Sequence, residues 1–326
     1  MPMAKLTEEQ KQVRNANKAK NLIAQADRLK ASSNINSIGC IERYEDAEYR
    51  FCKWLGENTE IKNLKNVSAK HIYPYIESFF DRECLNSCIR TEMSAIRHYH
   101  SLTHSKNILP SNKDLGISEK NDYEFDRAFL PKEFDDMIKV ARSMNRYDVV
   151  IQSYLSRYFG LRFEEAATLR LYQVEDAIRY KQLNVKNTKG GLVRDIPVDR
   201  PIQEKILNEI VAYLRANGKK SKDYLICDSH KHSVKKEKAS LQNWRSNHSN
   251  KFVDPNRCKD VKPDCKQRIK RPSWHGLRHL YFQENRCRLI AEGGMTERQV
   301  ENEMSERMGH HRNDIKKFYS EFLKDS

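Results

Sequence analysis

The stretch VVIQSYLSRYFGLRFEEAATL, residues 149–169, carries apolar residues at helical spacing on both sides of Gly160. It reads as two helices broken at that glycine, with Arg162 at the start of the second. Taken alone, an arginine in that place is a cap or a salt-bridge partner. Its meaning depends on what the rest of the chain sets beside it.

Working towards the N-terminus, LPKEFDDMIKVAR (130–142) opens a domain that runs from 125 to 326. Before it, KNILPSNKDLGISEKNDYE (106–124) is rich in Pro, Gly, Asn, Ser and Asp and reads as a linker. Residues 35–105 read as a small helical unit. IERYEDAEYRFCKWLGE (41–57) spaces Ile41, Tyr44, Ala47, Phe51, Trp54 and Leu55 by threes and fours, with Gly56 as a stop. SAKHIYPYIESFF (68–80) and NSCIRTEMSAIRHYHSLT (86–103) read as two further helices. Residues 1–34 form a basic helical extension that places Val13, Leu22, Ile23, Ala26 and Leu29 near one face, before ASSNINS (31–37) breaks the pattern.

Working towards the C-terminus, AIRYKQLNVKNTKGGLVRDIPV (177–198) alternates around a Gly-Gly pair and predicts a β-hairpin, with Lys189 at its tip. Helical patterns resume at Ile202 and are interrupted by a long basic stretch. The fold class expected is mainly α with a small β-sheet, in about two domains over 326 residues.

Charge narrows the partner. The chain carries a net +15 with a pI near 9.3. Residues 216–275 hold sixteen Lys and Arg against six Asp and Glu. A positive field concentrated in one region points to a polyanion, since phosphate contacts drive nucleic-acid affinity through counterion release. No apolar run approaches the ~18 residues that cross a membrane, and the first residues have no apolar signal region. A cytoplasmic, nucleoid-associated protein is expected. The eight cysteines form no CxxC pair, and His248, Cys258, Cys265 and His275 fit no common zinc spacing. No metal and no cofactor are expected.

The same basic domain holds the residues for an attack on a phosphodiester. His275 and Arg278 stand three apart in SWHGLRH (273–279), on one helical face. Near the end, MGHHRNDIKKFY (308–319) sets Tyr319 nine residues after His310. A phosphate in flight gathers negative charge on its non-bridging oxygens, which two guanidiniums clamp. A tyrosine serves as nucleophile if its phenol loses a proton. The leaving 5′ oxygen needs a proton, which a lysine or histidine supplies.

In these stretches the sequence resembles the tyrosine recombinase, or phage integrase, family over about residues 35–326. GLRFEEAATL (160–169) is similar to the family's first box, with its catalytic arginine at Arg162 and an acidic companion at Glu165. NTKGGLVRDIPV (187–198) resembles the hairpin carrying the active-site lysine, here Lys189, with Lys186 as its competitor. HGLRH is similar to the His-x-x-Arg box, giving His275 and Arg278. MGHHRNDIKKFY resembles the Gly-His box and nucleophile, giving His310 and Tyr319.

The resemblance implies a core-binding domain and a catalytic domain closing as a C-shaped clamp on double-stranded DNA. It implies a 3′-phosphotyrosine at Tyr319, with Arg162, Arg278, His275 and His310 stabilising the phosphate, Lys189 protonating the leaving oxygen and Glu165 orienting its neighbours. No metal and no ATP take part. A homotetramer on paired sites is implied, together with accessory DNA-bending or excision factors, and the role implied is that of a mobile-element integrase. Many family members carry a helix beyond the nucleophile; here SEFLKDS follows Tyr319. The alternatives are a type IB topoisomerase, a hairpin-forming resolvase, and a non-catalytic DNA-binding protein of the same fold.

Overall fold

In the computed structural model the described residues are 7–35, 38–118, 127–186, 193–227, 233–256 and 272–309. The chain divides into two compact units between Glu124 and Phe125. Lys189, His310, His311 and Tyr319 lie outside the described residues.

The first unit is helical: α1 (Glu8–Lys30), α2 (Ile38–Asn58), α3 (Ala69–Asp81) and α4 (Asn86–Leu102). Thr7 starts α1 through a reciprocal cap, Gln10 N to Thr7 Oγ1 at 3.2 Å and Thr7 N to Gln10 Oε1 at 3.0 Å. Leu22 and Ala26 of α1 are fully buried against Phe51 and Leu55 of α2, Ile72 and Ile76 of α3, and Ile89 and Met93 of α4. The segment read as a basic extension is thus built into a hydrophobic core, although Val13 on the same helix is 57% exposed. The stretch with linker composition also contributes, because Leu115 and Ile117 are buried in the same cluster.

The helix stop expected at Gly56 is not there: α2 runs on to Asn58. A Cβ at Gly56 would lie 2.9 Å from Ala19 Cβ and 2.9 Å from the Asn15 carbonyl oxygen. This glycine brings two helices together rather than ending one.

Glu48 of α2 is buried in this core, with the Cys52 thiol donating to its Oε1 at 3.9 Å. Close by, Glu92 of α4 accepts from Arg50 twice, at 3.2 and 2.6 Å, and from the Tyr75 hydroxyl at 2.6 Å. Burial pushes the Glu48 carboxyl up to about 8, the Cys52 hydrogen bond opposes this, and the charge of Glu92 adds to it. The folded state therefore holds a proton that the unfolded chain releases near 4.5. That contribution is complete below about pH 4.5 and is lost as pH rises to about 8, at up to about 1.4 kcal/mol per pH unit. Glu48→Gln, neutral throughout, should remove this slope. Urea unfolding followed by the fluorescence of Trp54 at pH 5, 6.5 and 8 checks it; equal slopes in both proteins would refute the assignment.

The second unit holds α5 (Pro131–Ser143), α6 (Tyr147–Phe159), α7 (Phe163–Thr168), α8 (Leu171–Tyr180), β1 (Gln182–Val185), β2 (Arg194–Pro197), α9 (Pro201–Ala216), α10 (Val234–His248), α11 (Trp274–Glu292) and α12 (Glu297–Met308). The break at Gly160 is as the sequence predicts. Gly160 ends α6 at φ 60°, a conformation that costs a glycine little. A Cβ there would stand 2.5 Å from the Tyr281 ring, so α6 and α11 meet closely at this point.

β1 and β2 pair antiparallel, Leu183 opposite Ile196 and Val185 opposite Arg194. Leu183, Val185 and Ile196 turn into the main core beside Leu155, Phe159 and Val174. The result is the expected class, mainly α with a small β-sheet. α11 and α12 share their own apolar contact through Tyr281, Phe282, Val300, Met304 and Met308. Among the described residues, no helix is long and apolar enough to cross a membrane.

Candidate active site

Three chain segments converge in the second unit: the corner between α6 and α7, the first turns of α11, and the last turn of α12. Phe163 and Trp274 stack with ring centroids 5.7 Å apart, which joins the start of α7 to the start of α11. Gly276 lets the chain at Arg127 cross α11 closely, since a Cβ there would lie 2.4 Å from the Arg127 carbonyl oxygen. These contacts bring Arg162 together with His275 and Arg278.

Glu165 is at the centre. Its side chain is only 1% exposed. Oε2 accepts the Arg162 backbone N–H at 2.7 Å, and Oε1 accepts Arg162 Nη1 at 2.7 Å. Oε2 also accepts Arg194 Nη2 at 2.6 Å, and Arg278 Nη1 stands 4.0 Å away. One carboxylate therefore faces three guanidiniums and leaves excess positive charge. That excess suits a phosphate, and the carboxylate fixes the orientation of the arginines beforehand.

The end of α12 supplies the remaining acceptors. Gly309, at φ 60°, caps the helix in the left-handed conformation. Arg162 Nη2 donates to the Gly309 carbonyl at 2.9 Å. Arg278, fully buried, donates to the Gly160 and Met308 carbonyls. Helix C-terminal carbonyls lack partners within the helix and carry partial negative charge, so guanidiniums are suitable partners.

His275 stands one turn before Arg278 on α11. Its ring lies against that of His279 at 5.0 Å between centroids, edge to face, and Arg127 Nη2 is 3.0 Å from His279 Nε2. Burial, and then the charges of Arg278, Arg127 and Arg162, hold the His275 imidazole down, to about 3. The residue is nonetheless open to solvent. Both influences favour the neutral ring, burial first and the three guanidiniums after it.

Of the residues expected from sequence, the structure brings together Arg162, Glu165, His275 and Arg278. Lys189, His310 and Tyr319 fall outside the described residues, the last two in the chain that follows Gly309. Lys186, the competitor of Lys189, is exposed just beyond β1. Two participants were not anticipated, Arg127 and Arg194. For Arg194 a signal exists in the sequence: it occupies an inward position of an alternating strand, two residues before Ile196, where an apolar side chain is the ordinary choice.

No protein-family model matches the sequence, and no curated protein does. Solved structures do match. A lambda integrase dimer bound to a COC′ core site aligns at TM-score 0.64 and 12% identity, over 93% of this chain and 96% of that one. The Tn1549 transposon integrase in complex with transposon right-end DNA aligns at TM-score 0.56 and 13% identity, over 92% and 95%. The XerH site-specific recombinase bound to difH, a pre-cleavage complex, aligns at TM-score 0.54 and 14% identity, over 99% and 88%. Lambda integrase also matches as a tetramer on a Holliday junction. This chain shares the fold of the lambda and Tn1549 integrases and of the XerH recombinase.

Proposed function

We propose that the protein is a site-specific DNA recombinase, the integrase of a mobile element, belonging to the tyrosine recombinase family. The observation that carries this reading is the gathering of Arg162, Arg278 and His275 around the buried Glu165, at the helix end from which the chain leads to His310 and Tyr319. Sequence separation from Arg162 to Arg278 exceeds a hundred residues, so their meeting is a property of the fold.

In the reaction proposed, the Tyr319 oxygen attacks the scissile phosphorus. The P–O bond to tyrosine forms as the P–O5′ bond breaks. Arg162 and Arg278, with His275 and His310, hold the charge that builds on the non-bridging oxygens. The phenol proton passes to water as the oxygen attacks, and Lys189 gives its proton to the leaving 5′ oxygen. The phosphodiester bond energy stays in the 3′-phosphotyrosine, so a partner strand's 5′ hydroxyl reverses the step without ATP. The arginines supply the positive charge that a metal otherwise would. Such chemistry on two paired sites calls for four subunits, as in the lambda tetramer on a Holliday junction, with accessory DNA-bending or excision factors setting direction. The domain assignment proposed is core binding before residue 106 and catalysis from 125 onward.

The test is covalent capture. Nicked suicide duplexes tiled over the DNA flanking the coding gene should trap a protein–DNA adduct, with peptide mapping placing the link at Tyr319. An adduct on one flanking site supports the recombinase. Efficient relaxation of supercoiled plasmid lacking that site favours a topoisomerase, and DNA binding with no adduct leaves a non-catalytic binder. Binding should also weaken steeply with salt. The exposed Lys220, Lys222, Lys235 and Lys236 belong to the basic stretch, and six or more phosphate contacts cost about 10³-fold in affinity between 50 and 200 mM salt. A flat response in a binding titration would remove that stretch from the interface.

A further inference from the structure

Arg194 is in contact with two of the three converging segments. It opens β2 and is 6% exposed. Its Nη2 donates to Glu165 Oε2 at 2.6 Å and lies 3.5 Å from the Gly160 carbonyl oxygen. Its Nη1 donates to the Met308 carbonyl. One side chain thus joins α7, the α6–α7 corner and the last turn of α12. The chain is shaped around it: a Cβ at Gly309 would lie 2.7 Å from Arg194 Nη1 and 3.0 Å from its Cδ.

Burial lowers the Arg194 pKa to about 10, Glu165 opposes the shift, and Arg278 and Arg162 add to it. The group is still charged at neutral pH. On strand β2 its guanidinium is taken up by the Glu165 carboxylate and two carbonyls. Arg162, by contrast, keeps a fifth of its side chain exposed. What Arg194 does reach is the carboxylate that orients Arg162, and the same Gly160 and Met308 carbonyls that Arg278 holds. The role needs a fork. A lysine ammonium is a point charge and cannot span acceptors on separate elements in fixed geometry.

We propose that Arg194 is a positioning residue of the strand-cleavage reaction, locking Glu165 and the end of α12 in the arrangement that aims Arg162 and Arg278 at the scissile phosphate. This rests on the recombinase reading. In their free state these arginines are held by carbonyls and a carboxylate. A loosened α12 end or a swung Glu165 would leave them directed elsewhere when DNA arrives, at little cost to binding. Misplaced electrostatic groups affect the transition state more than the ground state.

The experiment measures single-turnover adduct formation by the full chain on the nicked duplex that traps the wild type. A second duplex carries a neutral methylphosphonate at the scissile position. Arg194→Gln should bind DNA with affinity within about twofold of wild type and form the adduct about 10²-fold more slowly. On the methylphosphonate, which has less charge to clamp, the deficit should shrink to below about tenfold. Amide exchange without DNA should quicken in α7 and the last turn of α12 and stay unchanged in α1–α4. Equal deficits on both duplexes, or an unimpaired adduct rate, would overturn the inference. If Arg194→Gln does not fold, Arg194→Lys is measured in the same way and should show the same pattern with a smaller deficit. A wild-type chain that traps no duplex overturns the recombinase reading itself, a result distinct from any produced by the Arg194 variants.

Discussion

Tyr319→Phe should bind DNA as the wild type does and form no covalent adduct. The substitution keeps the ring and removes only the oxygen that would join phosphorus. A reaction that proceeds through a covalent intermediate then has no entry, and losing a nucleophile costs roughly 10⁴-fold or more in rate. Arg162, His275 and Arg278 remain, so the phosphate site proposed for them is intact and uncleaved complex should accumulate. Two measurements decide: denaturing gel analysis of the trapped duplex, and a DNA titration by fluorescence anisotropy. An adduct that survives the substitution assigns the nucleophile to another residue, and peptide mapping would identify it. Loss of both binding and adduct would mean that Tyr319 holds the fold together rather than attacking DNA.

The second large effect concerns Glu165. Glu165→Ala removes the carboxylate that faces Arg162 and Arg194 at 2.7 and 2.6 Å, with Arg278 at 4.0 Å. The glutamate and Arg194 side chains are 1% and 5% exposed, so water screens this pairing little. Breaking a buried ion pair from one side leaves the partner's charge uncompensated and costs about 3–5 kcal/mol. For a unit of this size that is a fall in Tm of about 10 °C. The unit contains Trp244 and Trp274, whose fluorescence reports its unfolding in a chain with Trp54→Phe. Glu165→Gln keeps an acceptor for the Arg162 backbone N–H and should fall between Ala and wild type. Both variants should lose adduct formation more than DNA affinity, because the arginines lose their orientation before they lose their charge. A stability loss for Glu165→Ala below about 1 kcal/mol would show that solvent or neighbouring groups already compensate the three guanidiniums.

What the sequence disclosed, and what it withheld, follows the range of the interactions concerned. The corner at Gly160 was legible because a left-handed helix end suits glycine for local reasons. The hairpin was legible from alternation around Gly-Gly, whereas Arg162, His275 and Arg278 were singled out through the resemblance of their boxes to the recombinase family. Gly56 was misread because a helix stop and a close helix crossing use the same residue type, and only Ala19 and Asn15 on another helix distinguish them. Leu115 and Ile117 looked like linker because their neighbours are Gly, Asn and Asp, yet the core they enter was assembled by helices tens of residues earlier. Arg194 was the hardest to see. Its partners Glu165 and Met308 lie 29 and 114 residues away, a distance over which no periodicity informs.

The grip of Arg162, Arg194 and Arg278 on the last carbonyls of α12 also sets a leash. Gly309 is held, and Tyr319 follows ten residues later. Ten residues span at most about 35 Å when fully extended and about 15 Å if helical. In the reaction proposed, this tether would confine the Tyr319 oxygen to a sphere around its own subunit's arginines, at an effective concentration on the order of millimolar. Lengthening the segment between Gly309 and Tyr319 with Gly-Ser should dilute the nucleophile gradually rather than abolish attack, so the length of this tether becomes a means of tuning the rate.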